Sequence, residues 1–78
     1  MTDKLSTEEY VVGTLVDVEP TFGGIYYYVK TEDGEEVEYS IDPMIQLGLL
    51  ASMGHLLRLG EKYKFSVVGE YITGCEDL

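Results

Sequence analysis

The residues of this chain that could do chemistry are phenols and carboxylates, set close together. Tyr26-Tyr27-Tyr28 precedes an acidic segment carrying Glu32, Asp33, Glu35, Glu36 and Glu38. Carboxylates at this density suit recognition of positive charge, and exposed tyrosines add large, rigid contact area at low entropy cost. Acid–base catalysis is a poorer fit, because any acidic surface holds pairs such as Glu36 and Glu38 without using them catalytically. The chain has one histidine, His55, and one cysteine, Cys75. It has no Gly-rich phosphate loop, no nucleophile elbow and no Ser-His-Asp set. One His with one distant Cys cannot form a zinc site, and Asp33-Gly34-Glu35-Glu36 lacks the alternating ligands of an EF-hand loop. The expectation is therefore a protein that is not an enzyme, with no metal and no cofactor. His55 reads as a surface residue, and Cys75 as an exposed thiol with no basic neighbour to lower its pKa.

Net charge sets the class of partner. Fifteen Asp and Glu against five Lys and Arg leave 78 residues at −10. Such a surface repels phosphate and attracts basic partners, so nucleic acid is not expected across its general surface. With 45% hydrophobic and 12% aromatic residues, the chain is too apolar for a disordered acidic tail. The longest apolar stretch, Met44 to Leu59, is broken by Gln46, His55 and Arg58 and is too short to span a membrane. A single unpaired cysteine and no signal-like N-terminus point to the cytoplasm.

The elements that must position these groups follow from pattern. Residues 1–8 are polar and aperiodic and read as a flexible arm, followed by one domain over 9–74 and a tail over 75–78. Tyr10 to Val18 reads as a strand with Tyr10, Val12, Val16 and Val18 facing in, and Pro20 to Gly24 as a turn. Strands Ile25 to Thr31 and Glu35 to Ile41 then flank Glu32-Asp33-Gly34. A three-residue loop with Gly34 in the left-handed region pairs Val29 with Val37, Tyr27 with Tyr39 and Ile25 with Ile41, which keeps one face apolar. The same register sets Lys30 opposite Glu36, Tyr28 opposite Glu38 and Tyr26 opposite Ser40 on the outer face, with Asp17 and Glu19 as possible neighbours.

Asp42-Pro43 predicts a helix start, with Asp42 as N-cap and Pro43 at N1. The helix runs from Pro43 to about Met53, with Ile45, Leu49, Leu50, Met53, Leu56 and Leu57 on a broad apolar face. Gly54 either lies within a longer helix or ends it as a left-handed cap, with His55 to Leu59 as a second short turn. Lys62 to Val68 is a strand with Tyr63, Phe65 and Val67 inward, and Glu70 to Thr73 a short last segment. The fold class is mainly β with one helix, a small barrel or curled sheet in the order β-β-β-α-β(-β).

That order, with Gly13 inside the first strand, the Asp33-Gly34 turn and Gly60-Glu61-Lys62 leading into Tyr63 to Val68, resembles the OB-fold over roughly residues 9 to 74. In such a fold Tyr26 and Tyr28 could stack bases, with Lys30, Lys62 and Lys64 as the only basic set. Small acidic inhibitors encoded by phages, including some that block restriction or CRISPR effectors, are similar in size and charge. That resemblance implies a nucleic-acid mimic on a basic effector in a host cytoplasm. The leading expectation is accordingly an acidic protein-binding module, plausible as an inhibitor, using Tyr26, Tyr28, Glu32, Asp33, Glu35, Glu36 and Glu38. The alternatives are an OB-like single-strand binder, or an assembly subunit that forms a homodimer through the helix Pro43 to Met53.

Overall fold

The computed structural model describes residues 8–55 and 57–78. The expected arm, apart from Glu8, and Leu56 of the expected helix face lie outside the described residues. The described chain forms five strands and one helix: β1 (Glu9–Thr21), β2 (Gly24–Thr31), β3 (Glu36–Ile41), α1 (Pro43–Met53), β4 (Lys62–Val68) and β5 (Tyr71–Asp77). The strands close into a barrel in the order β1-β2-β3-β5-β4, with β3 and β5 parallel and the other pairs antiparallel. This small closed barrel with its helix between β3 and β4 is compatible with an OB-like barrel.

The β2–β3 hairpin has the register that its side chains demand. Ile25 pairs with Ile41, Tyr27 with Tyr39 and Val29 with Val37, while Tyr26, Tyr28 and Lys30 pair with Ser40, Glu38 and Glu36. Gly34 has φ +89°, and the Thr31 amide donates to the Glu35 carbonyl at 2.8 Å, closing the three-residue loop. Tyr27, Val29, Tyr39 and Ile41 are buried as a result. β4 agrees as well, since Tyr63, Phe65 and Val67 are all buried.

β1 departs from the expectation. Its register shifts between Leu15, opposite Val29, and Asp17, opposite Tyr28, so Val16 is the extra residue of a β-bulge. Before the bulge the inward positions are odd: Gly13 and Leu15 are buried and Val11 packs on the core. After it they are even, and Val18 packs inward. Tyr10 is exposed, Val16 lies at the surface, and Val12 sits beside Lys64 of β4. Reading one unbroken strand put all four on a single face. β1 also runs on to Thr21, which pairs with Gly24, so the expected turn over 20–24 shrinks to Phe22-Gly23. Pro20 is accommodated there because β1 beyond its bulge has a strand neighbour only in β2.

The last segment is a full strand. Cys75, Glu76 and Asp77 pair with Phe65, Lys64 and Tyr63, so these residues belong to the barrel and not to a tail. Thr73 is the extra residue of a second bulge opposite Ser66 and Val67, which lets Ile72 and Cys75 both face in.

α1 closes one end of the barrel. Asp42 accepts a hydrogen bond from the Met44 amide at 2.8 Å, Pro43 fills the first helical position, and Gly54 at φ 83° donates its amide to the Leu50 carbonyl. The left-handed cap at Gly54 ends the helix, and residues 57 and 58 are irregular rather than a second helical turn. Leu49 is buried, and Ile45, Met53 and Leu57 pack on the same core. Asp42→Ala removes the cap and is expected to lower stability by about 1 kcal/mol. Urea denaturation of wild type and variant measures this. An unchanged midpoint would mean that the cap does not hold the helix.

Candidate functional site

The outer face of β1, β2 and β3 gathers most of the carboxylates and phenols singled out above. Beyond the bulge, Asp17 lies opposite Tyr28 and Glu19 opposite Tyr26. Across β2, Tyr28 faces Glu38 and Lys30 faces Glu36. Among the described residues, one patch therefore holds Tyr26 and Tyr28, four carboxylates from Asp17, Glu19, Glu36 and Glu38, and the single cation Lys30. The Tyr28 hydroxyl donates to Glu19 Oε1 at 2.7 Å. That bond, then desolvation and the charges of Glu19, Glu38 and Asp17, push the Tyr28 phenol up to about 12. The hydrogen bond is the largest cause, and the surrounding carboxylates act in the same direction.

The hairpin tip is chemically different. Glu32 Oε2 accepts from Lys62 Nζ at 3.1 Å, so its charge is locally paired. Asp33 accepts a hydrogen bond from the Thr31 hydroxyl, which holds its carboxyl below the usual range. Glu35 lies one position off the outward register. Its charge, with that of Glu9, acts on Tyr39, whose phenol is raised first by desolvation and then by these two carboxylates. The expected set thus divides into Tyr26, Tyr28, Glu36 and Glu38 on the face, Glu32 and Asp33 engaged at the tip, and Glu35 turned aside. Sequence reasoning admitted Asp17 and Glu19 only as possible neighbours, because the bulge that aligns them leaves no local signal.

Two of the lysines are engaged in place. Lys62 is paired with Glu32 and Lys64 Nζ lies 4.8 Å from the centre of the Tyr10 ring, while Lys30 stands opposite Glu36 in the strand register. Among the described residues, no group of three or more His, Cys, Asp or Glu is arranged to hold a metal ion, and no helix is long and apolar enough to cross a membrane. His55 is not simply a polar surface residue: its Nε2 lies 3.7 Å from Asp77 Oδ2 at the end of β5.

No family model matches this chain, and no match was found among curated proteins or solved structures.

Cys75 is half-buried against the core rather than an exposed thiol. Desolvation first, then Asp77 and Glu76, push it up to about 12 from 9.0. At pH 8 the thiolate is then rarer by roughly three orders of magnitude. Higher intrinsic nucleophilicity recovers part of this, so iodoacetamide should alkylate Cys75 roughly fiftyfold more slowly in the folded domain than in urea. Equal rates would place the thiol in water. The direction also sets an alkaline limit. Tyr27, desolvated by burial, is likewise raised to about 12 from 10.0. Both groups hold protons in the folded state that the unfolded chain releases. Their contribution is complete below about pH 9 and is lost as pH rises towards 12.

Proposed function

We propose that this domain is a non-enzymatic, acidic protein-binding module that docks the outer face of β1, β2 and β3 on a basic protein surface. The observation that carries this reading is the composition of that face: Asp17, Glu19, Glu36 and Glu38 around Tyr26 and Tyr28, with Lys30 already opposite Glu36. Carboxylates held on paired strands have less conformational freedom to lose on binding than those of a disordered tail. The phenols between them provide the contact area that charge alone does not. A partner that binds nucleic acid offers the complementary surface, and an inhibitor competing with nucleic acid for it, in the manner of phage-encoded anti-defence proteins in a host cytoplasm, is the role this face suits. Single-strand binding by the same face is disfavoured because Lys30 stands among four carboxylates, and Lys62 and Lys64 each have a partner within the fold.

The experiment is capture from host lysate by the tagged domain at low salt, followed by a salt step and mass spectrometry. One basic nucleic-acid-binding protein eluting stoichiometrically is the expected result. Recovery of only neutral or acidic proteins, or of nothing specific, contradicts the proposal.

A second reading has its own observation. α1 carries no charged residue, and Met44 and Leu47 are exposed on it beside the solvent-facing Gly48 and Ala51. This face suits a homodimer or an assembly contact. Sedimentation velocity over a hundredfold concentration range tests it: a concentration-dependent dimer supports the contact, and a strict monomer removes it.

A further inference from the structure

Three outward positions lie in one row across β2, β3 and β5: Tyr26 pairs with Ser40, and Ser40 pairs with Tyr71. A small side chain between two aromatic ones leaves a gap. Neighbouring strands are about 4.8 Å apart, so the two tyrosines stand roughly 10 Å apart at the backbone. A flat group stacked between two rings needs about 3.5 Å on each side, and the gap has room for one. The structure shows this gap as a cleft of about 270 Å³, lined by Tyr26, Tyr71, Ser40, Asp42 and the Gly23-Gly24 turn. Tyr71 is 62% exposed, so its ring is available to a partner.

The chemistry of the rim selects the occupant. Asp42 lines the cleft, and its Oδ1 accepts from the Met44 amide at 2.8 Å. None of the described residues lining the cleft is basic. An anion is therefore disfavoured, and the Asp42 carboxylate already occupies the helix N-terminus where one would otherwise sit. A planar cation meets both demands, because it stacks on phenol faces and pairs with a carboxylate. Lysine has the charge without the plane, and its ammonium is more strongly hydrated.

We propose that the cleft between Tyr26 and Tyr71 seats one arginine side chain of a basic partner, its guanidinium stacked between the phenols and hydrogen-bonded to Asp42. This rests on the proposed docking face, which it extends past β3 onto β5, and it gives that face a positional anchor as well as a field.

The test is an NMR titration of the whole domain with acetyl-Ser-Arg-Ser-amide, the same peptide carrying neutral citrulline, and oligothymidylate. The arginine peptide is expected to move the Tyr26, Ser40 and Tyr71 resonances, with a Kd on the order of millimolar. The citrulline peptide and Tyr71→Ala should each weaken binding roughly fivefold, the size of one such contact. Equal shifts with citrulline, no shift at the cleft, or saturation of the cleft by oligothymidylate would each overturn the proposal. These outcomes separate from the docking face itself. If the peptides leave the cleft unmoved while partner capture still depends on Glu36 and Glu38, the anchor fails and the face stands.

Discussion

Gly13→Ala is expected to destabilise the domain by roughly 3 kcal/mol, the upper end for overpacking a filled site. Gly13 sits where β1 has neighbours on both sides, opposite Thr31 of β2 and Tyr63 of β4. A Cβ built there would lie 2.6 Å from Val29 Cγ1 and 2.7 Å from the Lys30 carbonyl oxygen. Neither neighbour can yield easily: Val29 is fully buried, and moving the carbonyl disturbs the β1–β2 pairing. A domain of this length has a total stability of about 4–12 kcal/mol, so the loss is a large part of it. Thermal denaturation should show a Tm lower by roughly 15 °C. Gly74→Ala is the control, because its Cβ would meet Ser66 Oγ only at an ordinary 3.5 Å. Equal behaviour of the two variants would refute the close approach of β1 to β2.

The second large effect is on binding. Glu36→Lys with Glu38→Lys reverses two charges at the centre of the proposed face, beside Lys30 and Tyr28. If complementary charge steers association, the reversal should lower the on-rate and weaken affinity for the captured partner by at least about tenfold at low salt. Far-ultraviolet circular dichroism should remain that of the wild type, since both residues are exposed. The informative comparison is Glu9→Lys with Glu35→Lys, which changes net charge equally but acts beside Tyr39, off the face. A module that merely carries negative charge would respond equally to both pairs. A docking face responds to the first pair far more than to the second.

How much of this was legible in the sequence follows from the range of the interactions that decide it. The β2–β3 hairpin is written locally: only the loop Glu32 to Gly34 aligns its apolar residues and at the same time sets Lys30 against Glu36. The ends of α1 are local as well, in Asp42-Pro43 and Gly54. β1 was misread because its bulge at Val16 is stabilised by partners far along the chain. Leu15 donates its amide to the Glu61 carbonyl and accepts from the Gly60 amide, contacts that no alternation pattern reports. β5 was read short for a related reason, since Thr73 breaks the alternation that would have connected Ile72 to Cys75.

The site divides along the same line. Tyr26, Tyr28, Glu36 and Glu38 share a face by hairpin parity alone. The engagement of Glu32 with Lys62 depends on two residues brought together by the barrel, so the tip appeared more freely charged than it is. Tyr71 and Asp42 were missed as recognition residues because the β3–β5 pairing that brings Tyr71 beside Ser40 is parallel and long-range.

The most direct test of the account is competition on the captured partner. The partner is immobilised, the domain is bound at low salt, and duplex DNA is added at increasing concentration while bound domain is measured. The account predicts that DNA displaces the domain completely, that excess domain displaces DNA in return, and that added salt weakens both. Simultaneous occupancy of the partner by DNA and domain would contradict it, because the acidic face would then lie outside the nucleic-acid site.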